Sequence, residues 1–281
     1  MFTTFTTPEM NKKVLFILLG VFFGCMAHTE KRPGDLIINY PFAKDSFLIR
    51  VTDLAGKAAA SDTIHIVYYA DLSLKSGKQV EQVIEKYNAG LAQKHYVFVG
   101  IGHFGYFRSK RRRDFISPSV WSSNGFVGKS DDYGQADNFY QLLRSTIIPQ
   151  AEAKFAGHPV ERSFIGHSLG GLFATYLLVN GDDLFTNLYA LSPSIWIDDY
   201  HLLDYESSQQ RRLRNVKKNF WISCGSAETW NRIRTSVRRM NDSLDKRKYS
   251  GINYQMKVYK GETHNSAVKP ELDEIFGFLS R

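Results

Sequence analysis

The chain has 281 residues, 43% of them hydrophobic and 14% aromatic, with 23% charged, 21 Gly and 8 Pro. Those proportions exclude a disordered chain, a collagen-like repeat and a small disulfide scaffold, and the length is enough for one large α/β core. Lys and Arg total 36 against 28 Asp and Glu, a formal charge of +8 that favours anionic ligands; the bases are scattered outside Lys110-Arg111-Arg112-Arg113 and carry no nucleic-acid-binding signature, so nucleic acid is not an expected partner.

In chain order, the first feature is Lys12-Lys13 followed by the apolar run 14–24, about half of the roughly 20 residues a membrane-spanning helix needs. It reads as the h-region of a signal peptide over residues 1–27, with Met10 as its start, so the protein is expected to be exported: periplasmic, secreted or lipid-anchored. Phe22-Phe23-Gly24-Cys25 resembles a lipoprotein cleavage site with an atypical Phe, which would attach the chain to a membrane through a lipidated Cys25, and Ala27 offers an ordinary cleavage site instead. Cys224 is then alone, with no intramolecular disulfide.

Residues 37–52 alternate like antiparallel edge strands. Short runs rich in β-branched and aromatic residues at 63–69, 96–101, 162–165, 187–191, 220–224 and 254–259 predict core strands. Helices are predicted between and after them over 78–94, 135–155, 169–180, 232–244 and 269–279; in the fourth, Val237, Met240 and Leu244 form a narrow apolar stripe. This alternation predicts a mostly parallel sheet flanked by helices. No repeat or linker divides residues 28–281, which read as a single domain.

After the strand at 162–165 comes Gly166-His167-Ser168-Leu169-Gly170-Gly171 and then an apolar helix. G-x-S-x-G in a strand, turn, helix context is a nucleophile elbow: the serine sits in a strained turn, and small flanking residues let strand and helix approach. A serine hydroxyl needs a base, and in this architecture the order is Ser, acid, His, leaving His201 and His264. His201 precedes the strand at 220–224 and comes too early; His264 lies between the last strand and the last helix and is the expected base. His167, next to the serine, is expected to point away and bond locally. The acid belongs on a loop after a late strand. Glu228, four residues past Cys224, is the first choice; Asp198, Asp199 and Glu262 are the alternatives, and a dyad with no close acid stays open, while Asp242 and Asp245 fall off the apolar stripe toward solvent.

An acyl-transfer oxyanion needs two N–H donors. Leu169, after the nucleophile, supplies one; the second is assigned to the stretch Gly102-His103-Phe104-Gly105, with His103 as the donor. These residues imply no metal and no organic cofactor.

Arg112-Arg113-Asp114-Phe115-Ile116-Ser117-Pro118, Ile148-Pro149, Gly166-His167-Ser168-Leu169-Gly170-Gly171-Leu172-Phe173-Ala174, Leu191-Ser192-Pro193-Ser194-Ile195-Trp196 and Gly261-Glu262-Thr263-His264 together resemble the putative esterase family of the α/β-hydrolase superfamily. That family takes in esterase D-like enzymes, feruloyl and acetyl-xylan esterases and enterochelin-type siderophore esterases. The resemblance implies an α/β-hydrolase fold and serine-esterase chemistry at Ser168 and His264, with a glutamate matching Glu228. The Arg-Arg-Asp, Ser-Pro-Ser-x-Trp and Gly-Glu segments are nearest the siderophore-esterase branch. One departure is Asp71-Leu72, where many relatives have Asp-Gly. On this reading the substrate is a small-molecule or glycan ester, with Arg113 of the basic run meeting an anionic substrate and Trp196 contacting it. The alternatives are a carbohydrate esterase in which Trp121, Trp196 and Trp230 stack on sugars, and a non-enzymatic binding protein on a hydrolase scaffold. For the basic run itself, the plainer reading is a solvated loop with one Arg paired to Asp114.

Overall fold

The computed structural model of the protein describes residues 31–56, 63–104, 107–118, 133–230 and 232–281. The expectations on Met10, Cys25, Ala27 and Trp121 lie outside these residues.

Eight strands form one sheet: β1 (Leu36–Tyr40), β2 (Asp45–Asp53), β3 (Thr63–Tyr69), β4 (Tyr96–His103), β5 (His158–His167), β6 (Asn187–Leu191), β7 (Lys218–Gly225) and β8 (Ile252–Tyr259). Their order is β1-β2-β4-β3-β5-β6-β7-β8, antiparallel across β1, β2 and β4 and parallel thereafter. Central strands are continuous apolar runs because both faces are covered. In β3, Ile66 and Tyr68 point into one layer of core, and Val67 and Tyr69 into the other.

The smaller of the two layers takes α1 (Lys75–Lys86), through Val80, Val83 and Ile84, the short helix Asn88–Gln93, through Leu91, and α7 (Val268–Leu279), through Leu272, Ile275 and Phe276. The larger layer takes α2 (Phe107–Phe115), α3 (Ala136–Leu142, continued by a π-turn to Ile147), α4 (Leu169–Val179), α5 (Ile197–Ser208) and α6 (Ile233–Arg247). Helix α4 is apolar nearly all round, and every residue from Gly170 to Val179 is buried, as a helix without a polar face must be. Its Phe173 ring sits 5.0–5.8 Å from those of Phe115, Phe139, Phe164 and Tyr176, so truncation there would cost about 3–5 kcal/mol. Val237, Met240 and Leu244 form the predicted buried stripe of α6.

The basic run is not a loop. It lies within α2, a helix with no apolar stripe of its own, because among the described residues three of its bases find acids on another element or next to them: Lys110 on Asp45, Arg111 on Asp71, Arg113 on Asp45 and Asp114.

Candidate active site

Register sets up the site. His167 pairs with Leu191, Leu191 with Ser223 and Gly225 with Tyr259, so β5 to β8 end along one edge of the sheet and their loops converge there. Non-glycine residues take positive φ at Ser168 after β5 (60°), at Ser192 after β6 (43°) and, where β3 ends beside β5, at Asp71 (65°). Each costs on the order of 1–3 kcal/mol and persists only where neighbours over-determine it. Ser168 is held by its amide on Leu191 O (3.0 Å) and by its carbonyl, which accepts from the Leu172 and Ser194 amides (2.9 and 3.1 Å). Gly166 makes the elbow feasible, since a Cβ there would sit 2.1 Å from Gly170 O.

The serine hydroxyl donates to His264 Nε2 (3.0 Å), and His264 Nδ1–H donates to Glu228 Oε2 (2.7 Å). Glu228 is fully buried, and its other oxygen accepts from the Ser192 hydroxyl (2.6 Å) and the Gly225 amide (2.7 Å). Burial pushes its carboxyl up, yet these bonds, that from His264 foremost, hold it below its ordinary value, so it stays ionised. Because the carboxylate and the Ser168 hydroxyl fill opposite sides of the ring, His264 carries its proton on Nδ1 and presents a lone pair to the serine.

The loop bearing His264 is placed by close backbone contact. A Cβ on Gly225 would meet Glu262 O at 2.1 Å, and that carbonyl accepts the Ala227 amide at 3.0 Å. His167 adds a second pin: its Nε2–H donates to His264 O (2.9 Å), and the two rings lie 4.5 Å apart. Burial, then the neighbouring His264, lowers His167 to about 3, so it is neutral and can serve as a fixed donor. It bonds locally as expected, although it lines the site rather than turning from it.

Of the other acids, Asp198 accepts the Tyr133 hydroxyl, Asp199 is exposed, and Glu262, on the His264 loop itself, meets the Glu228 loop through its carbonyl. None contacts His264.

Three sequence expectations are corrected. The donor loop facing the elbow is not 102–105, because β3, not β4, is the neighbour of β5. His103 is buried at the end of β4 with Nε2 on Asp114 Oδ2 (2.9 Å), its ring tilted against that of Phe47. The loop beside Ser168 is the one after β3: the Leu72 and Leu74 amides are committed to Ile101 O and Asp71 O, while Ser73 lines the cavity with Ser168. Leu169, the first residue of α4, has an amide with no preceding helical carbonyl to bond, as expected of a donor. Arg113 is not a substrate contact: it is buried, clamped to both oxygens of Asp114 (2.6 and 2.7 Å) and over the Tyr40 ring (4.6 Å). The arginine at the site is Arg111, bidentate on Asp71 (2.6 and 2.7 Å) with Nη2 reaching His167 O (3.3 Å). Third, Trp196 does not line the cavity; it stands on the β6 side, 36% exposed, two residues beyond Ser194, whose Oγ is 3.3 Å from Ser168 Oγ.

The cavity above Ser168 measures about 520 Å³ and is lined by Ser73, Lys75, Lys78, Arg111, His167, His264 and Val268, among others. Lys75 and Lys78 form no ion pair among the described residues and lie in the first turn of α1, which contains no acid. Bases there oppose the helix dipole, so they and the helix end together make the cavity wall positive.

This sheet order, with serine at the β5 elbow, acid after β7 and histidine after β8, defines an α/β hydrolase. The family model described as Putative esterase matches residues 70–279, and the chain belongs to that family. It is 28% identical over 184 residues to the Ferri-bacillibactin esterase BesA of Bacillus subtilis, covering 61% of this chain and 63% of that protein. It is 29% identical over 182 residues to the Siderophore enterobactin esterase of Emericella nidulans, covering 54% and 58%. The matched stretch thus spans less than two thirds of either relative. Among solved structures, the BES protein of Bacillus cereus superposes with a TM-score of 0.72 at 22% identity, over 90% of this chain and all of that one. The siderophore hydrolase EstB of Aspergillus nidulans gives 0.71 at 17%, over 89% and 96%. At these identities the structural likeness speaks for the fold.

Proposed function

We propose that the protein is a serine carboxylesterase that hydrolyses an anionic, siderophore-type ester through a covalent acyl-enzyme. The observation that carries the chemistry is the unbroken chain Ser168, His264, Glu228. As Ser168 Oγ attacks the ester carbonyl, its proton passes to His264 Nε2, and the imidazolium that forms is stabilised by the Glu228 carboxylate. The carbonyl oxygen takes up negative charge between the amides of Leu169 and Ser73. His264 then returns the proton to the leaving alkoxide, the C–O bond breaks, and an acyl group remains on Ser168. Water, deprotonated by His264, attacks that acyl group, and the second tetrahedral intermediate collapses to acid and free serine.

The substrate class is supported by the relatives named for siderophore esters and by Lys75 and Lys78 on the cavity wall, which have no ion-pair partner among the described residues. A second reading, an acylated sugar, draws on Trp196 and Trp230, 36% and 82% exposed on the loops after β6 and β7. Product analysis with a catecholate trilactone, with and without iron, against acetylated and feruloylated sugars decides between them. The proposal expects kcat/KM for the trilactone to exceed the sugars at least tenfold, and the reverse ranking overturns it. We further propose export, with cleavage before Cys25 or His28; the mass of the mature N-terminus tests this, and an intact Met10 in the cytosol overturns it.

A further inference from the structure

One ionisable group behind the proposed triad has no part in the chemistry above. Glu271, in the first turn of α7, is fully buried, and neither of its carboxyl oxygens has a hydrogen-bond partner of ordinary geometry. The same holds for the buried hydroxyl of Ser223. Glu271 forms no ion pair among the described residues, so an ionised carboxylate there would have no opposite charge to offset its loss of water.

The groups that face it come from every element at its back. Cys224 and Ser223 come from β7, Ser192 from the turn after β6, Glu228 from the loop after β7, Tyr259 from β8 and Glu262 from the loop after β8. The charged ones are all acids. Burial foremost, then the charges of Glu228 and Glu262, raise its carboxyl to about 8, with the Ser223 and Ser192 hydroxyls pulling the other way. Ser192 is the mechanical link, because its hydroxyl holds Glu228 Oε1 (2.6 Å) while its amide is bonded to Ser223 O (2.8 Å).

We propose that Glu271 keeps its proton in the working enzyme and is a positioning residue for Glu228: neutral, it leaves Ser192 and Gly225 free to hold the triad acid on His264; ionised, it sets a second buried negative charge against Glu228 and loosens that hold. Two carboxylates in one dry site disfavour each other strongly, and the one without donors is the one that stays protonated. Among the described residues Glu228 has three donors, and Glu271 has none of ordinary geometry.

The inference rests on the triad reading, and the test separates the two. kcat and KM for a p-nitrophenyl butyrate probe are measured from pH 6 to 10 for wild type, E271Q and S168A. Expected for wild type is an alkaline limb in kcat near pH 8, with about a tenfold fall from pH 7 to 9 and little change in KM, since Glu271 does not line the cavity. In E271Q, the uncharged isostere, the ratio of kcat at pH 9 to that at pH 7 stays within about twofold of unity. E271M, equally uncharged, gives the same ratio if the glutamine variant does not fold. A wild-type kcat flat from pH 7 to 9, or a limb that persists in both variants, overturns the inference. If S168A still turns over, the triad reading fails first; if S168A is silent while the E271Q profile superimposes on wild type, only the role of Glu271 fails.

Discussion

Replacing Glu228 by glutamine tests the hydrogen-bond logic of the site at a single atom. The carboxylate accepts on both sides: Ser192 Oγ and the Gly225 amide on Oε1, and His264 Nδ1–H on Oε2. An amide has one oxygen, and the two-donor side claims it, so the NH₂ turns toward His264. His264 then relieves the clash by moving its proton to Nε2, which can no longer accept from Ser168. The Asp→Asn change in a serine protease triad costs about 10⁴ in kcat by the same route. Here the His264 side chain is 23% exposed, so water carries part of the imidazolium charge, and the expected loss is about 10³, or about 4 kcal/mol. KM for a short p-nitrophenyl ester stays within about twofold, and Tm falls only by the stability that the ionised carboxylate contributes, since the buried shape is conserved. Steady-state kinetics with a thermal melt checks both. An E228Q variant within tenfold of wild-type kcat refutes the reasoning, and a collapse in Asp198→Asn or Glu262→Gln instead moves the acid to that loop.

Further outcomes follow from other contacts. Arg113→Ala leaves Asp114 short of its bidentate partner in a buried site, so it lowers stability by about 3 kcal/mol while KM for the ester holds, read by denaturant melts and kinetics. Lys75→Glu with Lys78→Glu raises KM for an anionic ester several-fold, leaves a neutral one unchanged, and raises Tm slightly because acids suit the start of α1. Gly225→Ala drives a Cβ into Glu262 O, so both kcat and Tm fall; unchanged kcat would mean the His264 loop is placed some other way. Glu228, held below its ordinary carboxylate value, contributes stability that is present above about pH 4.5 and lost as pH falls through the lower folded value. Glu271, held above it, contributes stability that is complete below about pH 4.5 and lost as pH rises toward 8. Tm against pH for wild type, E228Q and E271Q separates the two slopes.

What was legible in the sequence follows from how local each signal is. The elbow at 166–171 declares itself because its glycines, serine and apolar helix are contiguous, and Glu228 and His264 were reachable because each sits a few residues past a strand end. Chain order points to 102–105 as the oxyanion loop, because it gives no sign that β4 crosses to the outside of β3; that exchange is decided in the sheet. Four consecutive bases look like a solvated loop, because the partners that hold them in helix α2, Asp45 and Asp71, lie at least 40 residues away in the chain. The sequence offers Arg113 as the substrate contact, and only the helix shows that Arg111 is the base that turns to the cavity. Glu271 looks from sequence like an ordinary first-turn acid of a helix, and its burial against Ser223 and Ser192 is purely tertiary.

The central claim is that Ser168 is a nucleophile activated by His264. A fluorophosphonate probe followed by intact-mass and peptide mass spectrometry tests it most directly. One adduct per chain is expected, mapped to Ser168, absent in S168A and strongly slowed in His264→Ala, with S168A losing turnover while keeping the wild-type Tm. An adduct on another serine, or turnover surviving in S168A, would contradict it.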